Sequence, residues 1–240
     1  MSFFSGLYLY QVVMLVAGVL LFIVTLILLV ILTATGKEIG KLFLFFALSI
    51  VMIGFPAYSK IEISKDGVKL EKDTQQLLRN PTDKALRDRL SAEATKLSAR
   101  PYSDPKMLTT VARAQIALGD NGAAEQNVNK ALQIAPRNAE AMDVKKRLEL
   151  DRNLEQLTTR LERSPNDHAA KAQLDQVVSE ASKMQLASPV TITNLARAHA
   201  ALGNQAQAAE NVDKALRIDP NLARALILKN RINMANVTPH

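Results

Sequence analysis

The chain has 240 residues but no cysteine, no tryptophan and only 5% aromatic residues. The absence of cysteine excludes structural disulfides and thiolate metal sites. After residue 58, Tyr102 is the only aromatic residue, and Lys and Arg are interspersed with Asp and Glu. Binding to single-stranded nucleic acid relies on aromatic rings that stack on bases. The net charge of +7 is modest for this length, so we predict no nucleic-acid partner.

Catalytic and cofactor motifs are also missing. The three histidines, His168, His199 and His240, are not paired at metal-ligand spacing, and no glycine-rich nucleotide fingerprint is present. The segment 36–41, Gly-Lys-Glu-Ile-Gly-Lys, is one residue too short for a phosphate-binding loop and joins two apolar runs. We predict no catalytic, cofactor-binding or metal-binding residues, and a protein that is not an enzyme.

Two long apolar runs dominate the N-terminal part of the chain, up to Tyr58. Residues 7–35 hold no charged residue, whereas a membrane-crossing helix needs about 20 apolar residues. No Lys or Arg precedes this run, and it is too long for a signal peptide. The second run is at the short end of the spanning range. We predict a membrane anchor over residues 1–58, with two spans at about 8–33 and 42–58 that form a transmembrane helical hairpin.

Lysines near the two runs bear on the orientation of the anchor. Lys37 and Lys41 lie in the connector, and four lysines follow the second run at positions 60, 65, 69 and 72. The positive-inside rule applied to all flanks favours a cytoplasmic arm, but the first span taken alone gives the opposite orientation. We expect an integral protein of a bacterial inner membrane with a cytoplasmic arm. A periplasmic arm is the alternative.

Residues 59–71 alternate apolar and charged side chains on both sides of Asp66-Gly67. Alternation is typical of half-buried strands, and Asp-Gly is a turn signal. Pairing Ile63 with Val68 also places Glu62 opposite Lys69, which is favourable. We predict a short juxtamembrane β-hairpin here, with a solvated turn as the alternative.

The rest of the chain contains an internal duplication, in which residues of one stretch match those found at a constant offset further along, without gaps. Gly119 and Gly203 are 84 positions apart, as are Pro136 and Pro220. Self-similarity of this kind indicates stacked helical units. We predict an all-α protein whose arm, residues 72–240, is an α-solenoid built from an 84-residue duplication with copies at about 70–150 and 154–234. Residues 139–163 contain no Gly or Pro and predict one long helix.

Capping residues indicate where the helices of each copy begin and end. Asp104-Pro105, Ser164-Pro165 and Ser188-Pro189 each place a capping side chain before a proline at a first helical position. Gly119 and Gly203 suit the left-handed residue that ends a helix.

Each copy contains the same pattern of residues: large, large-small, Gly, small, large, Ala-Leu, Pro. Its first occurrence is Leu108, Val111-Ala112, Gly119, Ala124, Val128, Ala131-Leu132 and Pro136. Its second is Ile192, Leu195-Ala196, Gly203, Ala208, Val212, Ala215-Leu216 and Pro220. This pattern resembles the tetratricopeptide repeat family, whose unit is a helix pair of about 34 residues. Aliphatic residues replace the bulky aromatics common in the family, and Gln115 and His199 replace a usual Tyr.

The resemblance also implies a binding surface, because the first helix of each pair lines a concave groove in this family. The matching positions predict a peptide-binding groove that includes Lys106, Thr109, Arg113, Thr193, Asn194 and Arg197. Arg113 and Arg197 are equivalent, one in each copy. Paired arginines suit acidic side chains or a C-terminal carboxylate. The alternative is that they are ordinary solvent-facing arginines.

Anchor and arm together predict a membrane-anchored scaffold or adaptor that binds a protein partner, in a membrane complex and in contact with the lipid bilayer, without catalysis. Two alternatives remain open. One is a structural accessory subunit of a membrane protein complex, and the other is a chaperone-like holder of an exported polypeptide.

Overall fold

The computed structural model describes residues 9–35, 40–100 and 104–237, which form ten α-helices. They are α1 (Leu9–Ala34), α2 (Gly40–Arg79), α3 (Lys84–Ser98), α4 (Pro105–Leu118), α5 (Asn121–Ile134), α6 (Ala139–Arg163), α7 (His168–Ala181), α8 (Pro189–Ala201), α9 (Gln205–Ile218) and α10 (Ala223–Val237). The first residue of the first predicted span, residues 36–39 of the connector, His240 and Tyr102 lie outside the described residues.

Of the described helices, α1 alone is long and apolar enough to cross a membrane, over Tyr10–Ala34. The start of α2 packs antiparallel to it. Gly18 makes this close approach possible, because a Cβ there would lie 2.9 Å from the Cβ of Met52. The rings of Phe22 and Phe46 lie 5.0 Å apart. The packed pair leaves most of its large apolar side chains exposed.

The prediction of a second span over residues 42–58 is wrong. The apolar part of α2 is Leu42–Phe55, which corresponds to about 21 Å of helix. The hydrocarbon core of a bilayer is about 30 Å thick. The described residues therefore contain one candidate span with a shorter apolar helix start packed beside it, and not a hairpin of two spans.

The predicted β-hairpin over residues 59–71 is also wrong, because α2 continues as one helix of 40 residues. Val68 and Leu70 would share a face of a strand, yet Val68 is 69% exposed and Leu70 is fully buried. Leu70 and Leu77 are both fully buried, at a spacing that recurs on one face of a helix. An isolated two-stranded hairpin is marginal in water, whereas this helix is held by the core of the arm.

The helices of the arm recur at the offset seen in the sequence. The starts of α3 and α7, of α4 and α8, of α5 and α9, and of α6 and α10 are each 84 positions apart, as are the ends of α2 and α6. The core follows the same offset. Leu70, Leu90 and Val111 share one cluster, and their counterparts Leu154, Leu174 and Leu195 share another.

The helix α6 belongs to both halves of the arm. Its first part packs Val144 and Leu148 against α4 and α5, and its second part packs Leu154 and Leu161 against α7 and α8. The predicted long helix over residues 139–163 is confirmed. Because no break separates its two parts, the second half is fixed in direction relative to the first.

The helix ends follow most of the capping predictions. Asp104 accepts a hydrogen bond from the backbone N of Lys106, and Ser188 accepts one from Thr191. Gly119 and Gly203 have positive φ angles of 94° and 86°, so only glycine fits there without strain. The prediction at Ser164-Pro165 is wrong. Ser164 ends α6, with its backbone N–H bonded to the Arg160 carbonyl oxygen, and Asp167 caps α7 by accepting from the backbone N of Ala170.

Two arginines of the first half hold the α7–α8 loop of the second half. Arg87 donates from Nη2 to the carbonyl oxygens of Ala187 at 2.6 Å and Pro81 at 3.1 Å. Arg147 donates from Nη2 to the Gln185 carbonyl oxygen at 3.0 Å. Burial lowers the pKa of both guanidinium groups. Ala187 is itself part of the core formed by α2, α3 and α4. The loop therefore joins the halves by apolar packing as well as by charged hydrogen bonds.

Asp151, midway along α6, makes a second junction between the halves. Its Oδ2 atom accepts from Asn121 Nδ2 at 2.8 Å and from Thr191 Oγ1 at 3.1 Å. Burial raises the pKa of this carboxyl, and the two hydrogen bonds oppose the rise. One carboxylate thus connects the beginning of α5 with the beginning of α8.

Replacing Arg87 should therefore weaken the whole arm. We expect Arg87→Ala to lower the free energy of unfolding by about 2 kcal/mol, because two carbonyl oxygens lose a charged donor. Lys171, the exposed residue at the equivalent position of the second half, supplies the control, and Lys171→Ala should change stability by less than about 0.5 kcal/mol. Denaturant unfolding followed by circular dichroism measures both. Equal effects of the two substitutions would show that the loop contact does not hold the halves together.

Candidate peptide-binding cleft

A cleft of about 410 Å³ opens in the first half of the arm, between α2, α4 and α6. These helices are the first members of successive helix pairs, so the cleft lies where the sequence resemblance places a groove. The cleft is lined by Ser64, Gly67, Val68, Glu71, Asp104, Lys106, Met107, Thr110, Arg113 and Glu140.

The floor of the cleft is apolar. Met107 is almost fully buried beneath it, whereas Val68 is exposed to an extent unusual for valine. Gly67 brings α2 close to α4, because a Cβ at this position would lie 3.2 Å from the Cε atom of Met107. The accessible apolar surface of the floor is therefore mainly that of Val68.

The charges of the cleft centre on Arg113. Its Nη1 atom lies 3.5 Å from Glu140 Oε2 and 3.8 Å from Glu71 Oε2, beyond the usual range of a hydrogen bond between such groups. The guanidinium group is thus neutralised without being locked in place. Asp104 and Lys106 lie at the cleft edge, and three acidic and two basic lining residues give a net charge of −1.

Arg197, the counterpart of Arg113, is held firmly. It donates from Nε to Glu162 Oε1 at 2.8 Å and from Nη2 to Glu162 Oε2 and to Thr159 Oγ1. These bonds raise the pKa of Arg197 and lower the pKa of Glu162. The first half has Leu78 where the second has Glu162, which explains why Arg113 turns to other carboxylates. The equivalent arginines therefore have different surroundings.

The remaining predicted groove residues divide into accessible and buried ones. Thr109 and Thr193 are buried, and their hydroxyls donate to the carbonyl oxygens of Pro105 and Pro189 at 2.7 Å. Lys106 is exposed at the cleft edge, and Asn194 is half-buried in the second half. The structure brings Lys106 and Arg113 together in one cleft. The part of all six residues in binding stays a prediction.

Sequence reasoning predicted Lys106 and Arg113 but missed the other eight lining residues, of which Val68, Glu71 and Glu140 matter most for the floor and the charge of the cleft. These three lie on α2 and α6, whose sequences do not follow the family pattern, and Val68 and Glu71 fall in the segment predicted as a β-hairpin or its edge. The usable signal was the recurrence of Leu70-Glu71 as Leu154-Glu155. It places this part of α2 in the repeating unit and therefore in a helix.

Comparison with known families agrees with this geometry. The tetratricopeptide repeat family model matches residues 105–138 and 191–222, which contain the pair α4–α5 and all but the first two residues of the pair α8–α9. The chain therefore contains two tetratricopeptide repeats. The matched segments cover just over a quarter of its length. No curated protein and no solved structure matches the chain. Tetratricopeptide repeats indicate a scaffold for protein–protein interaction, and proteins built from them are typically not catalytic.

The two tetratricopeptide repeats differ in the polar residue that replaces the usual Tyr. In the first, Gln115 donates to Ser98 Oγ at 2.8 Å and accepts from Asn127 Nδ2 at 2.9 Å. In the second, His199 is buried and its Nδ1 atom has no partner among the described residues. Burial lowers the pKa of this imidazole. Neither side chain reaches the cleft, and the described residues contain no group of three or more potential metal ligands.

Side chains at equivalent cleft positions also differ in charge between the two halves. Arg152 stands in the second half where the first has Val68, and Arg224 stands where the first has Glu140. Val190 replaces Lys106 at the edge. The two surfaces are therefore not interchangeable, and the second half supplies matched control positions for experiments on the first.

The unequal surroundings of the two arginines predict unequal effects on stability. We expect Arg197→Ala to lower the free energy of unfolding by about 1 kcal/mol, because it removes charge-assisted hydrogen bonds to Glu162 that are partly screened by solvent. Arg113→Ala should change it by less than about 0.5 kcal/mol. Denaturant unfolding of both variants beside the unmodified chain gives the comparison. Similar losses in the two variants would contradict the different roles.

Proposed function

We propose that the protein is a membrane-anchored scaffold that binds a short segment of a partner protein in the cleft between α2, α4 and α6. The observation that carries this proposal is an accessible cleft, with an apolar floor and an arginine that is not hydrogen-bonded, at the position where tetratricopeptide repeats bind peptides. The arm, residues 72–240, forms the binding domain together with residues 64–71 of α2, and α1 with the apolar beginning of α2 forms the anchor.

Exposed apolar side chains support the anchor. Most of the large apolar residues of α1 remain uncovered by α2, and Phe43, Leu44 and Val51 of α2 are each more than half exposed. Contiguous apolar surface of this extent is rare on soluble proteins. In a bilayer it is the expected surface of a helix.

The rigidity of the cleft supports its role in binding. Met107 and Thr110 of the lining are held in the core of the arm, and α2 is one helix from the anchor to the cleft. A cleft built on packed helices needs little reordering when a ligand binds, which lowers the entropic cost of association.

A site-specific crosslink tests the cleft. Val68 is replaced by the photoreactive residue p-benzoylphenylalanine in the full chain in its native membrane, and the same replacement at Arg152, the equivalent position of the second half, is the control. We expect a crosslinked partner protein from position 68 and not from position 152. Equal capture at both positions, or capture at neither, would contradict the proposed binding site.

The exposed apolar faces of the anchor favour a second candidate, a structural accessory subunit whose helices bind other membrane helices. Replacing residues 9–55 with an unrelated membrane helix separates the candidates. A scaffold that binds through its cleft keeps the position 68 crosslink when the anchor is exchanged. Loss of the partner on anchor exchange, with crosslinking at position 68 absent, favours the structural subunit.

A further inference from the structure

We infer that the cleft takes a basic and apolar segment, a large aliphatic side chain next to Lys or Arg, supplied by the membrane-proximal part of another membrane protein. This inference rests on the proposed function and specifies its partner. Three properties of the cleft carry it: its charge, its floor and its height above the anchor.

Charge favours a cationic ligand over an anionic one. Arg113 lies between Glu71 and Glu140. Its guanidinium group balances the charge of one of these carboxylates, so a net charge of one carboxylate remains. A ligand carboxylate would have to displace both glutamates to reach Arg113. A ligand cation meets Glu140, which is half exposed at the rim. The net charge of the lining likewise disfavours acidic peptides and anionic lipid head groups.

The floor favours one aliphatic side chain. Val68 presents apolar atoms to the cleft and Met107 lies beneath it, and Met side chains adapt to ligands of different shape. Burial of a Leu or Met side chain there supplies affinity, at about 25 cal/mol for each Å² removed from water. The glutamates beside the floor then select a neighbouring Lys or Arg.

The height of the cleft follows from the continuity of α2. The apolar segment ends at Phe55, and Gly67 and Glu71 follow in the same helix. At a rise of about 1.5 Å per residue, the cleft lies about 18–24 Å above the apolar end. We propose a cytoplasmic arm, as the lysines that flank the apolar runs favour, and on that side membrane proteins carry an excess of Lys and Arg within about 15–20 residues of their spans. Such segments lie at the height of the cleft and have the complementary charge.

Peptide binding to the full chain in nanodiscs of neutral phosphatidylcholine tests the charge preference. The probes are fluorescein-labelled Gly-Lys-Leu-Lys-Gly-amide and Gly-Glu-Leu-Glu-Gly-amide. We expect the lysine peptide to bind at least tenfold more tightly than the glutamate peptide. Tighter or equal binding of the glutamate peptide overturns the inference while leaving the cleft as a binding site.

Variants test whether Glu71 and Glu140 cause the preference for the lysine peptide. The double variant Glu71→Gln, Glu140→Gln should weaken binding of the lysine peptide at least tenfold, whereas Glu155→Gln, the matched control in the second half, should leave it unchanged. Glu140→Arg, which introduces the residue type of position 224, should make the glutamate peptide bind more tightly than the lysine peptide. Thermal unfolding of each variant checks its fold. An unchanged preference in Glu140→Arg overturns the inference even if the double variant fails to fold.

A tether tests the height. The lysine peptide is attached to a lipid of the nanodisc through flexible linkers that reach about 10, 20 or 40 Å. Apparent affinity should be greatest for the linker that matches the height of the cleft, because effective concentration peaks where linker and span agree. Affinity that does not depend on linker length overturns the membrane-proximal part of the inference. If neither peptide binds and position 68 captures no partner, the proposed function fails together with it.

Discussion

The unbroken backbone of α2 is the constraint on which the rest of the structure depends. It is one helix from Gly40 to Arg79, which begins with apolar residues that pack on α1 and continues into the core of the arm. A helix of this length is about 60 Å long. Pro56 removes one backbone hydrogen bond from it, but the helix continues past this residue and so couples the direction of the proposed anchor to the direction of the arm. It also fixes the cleft at one height, with Val68 and Glu71 on the face that meets α4.

A second helix, α6, fixes the two halves of the arm relative to each other, as α2 couples the arm to the proposed anchor. It closes the first tetratricopeptide repeat with one part and begins the second half with the other. The loop held by Arg87 and Arg147, and the bonds to Asp151, add contacts far apart in sequence. Most solenoids contact only neighbouring repeats. These additional contacts make the arm a compact body in which the two halves support each other.

Local patterns predicted the local structure well. The caps at Asp104 and Ser188, the left-handed Gly119 and Gly203, the long α6 and both tetratricopeptide repeats all follow from the sequence. One error came from a segment whose state is decided at a distance. Residues 59–71 alternate like a strand but are held as a helix, because Leu70 and Leu77 reach the core built with α3 and α4. The error at the second span has a different cause, because the predicted span 42–58 included three residues beyond Phe55, where the apolar part of α2 ends.

The candidate cleft was only partly predictable. The family pattern pointed to Lys106 and Arg113 but treated Arg113 and Arg197 alike. Their difference depends on Glu140 and Glu162, which lie in helices outside the pattern, and on Leu78, which occupies the place of a glutamate. The two arginines differ because they contact helices outside the family pattern. The spacing of residues within one repeat does not predict such contacts.

Spin labels on α2 test the central claim most directly, because the chain has no cysteine of its own. Val51→Cys and Lys72→Cys, both at exposed positions, place one label on the apolar part of α2 and one beyond Gly67. A continuous helix puts their Cα atoms about 32 Å apart, and electron–electron double resonance in nanodiscs should give one narrow distribution near that distance. A distance below about 20 Å, as a chain reversal at Asp66-Gly67 would produce, or a broad distribution from a flexible joint, would contradict the account.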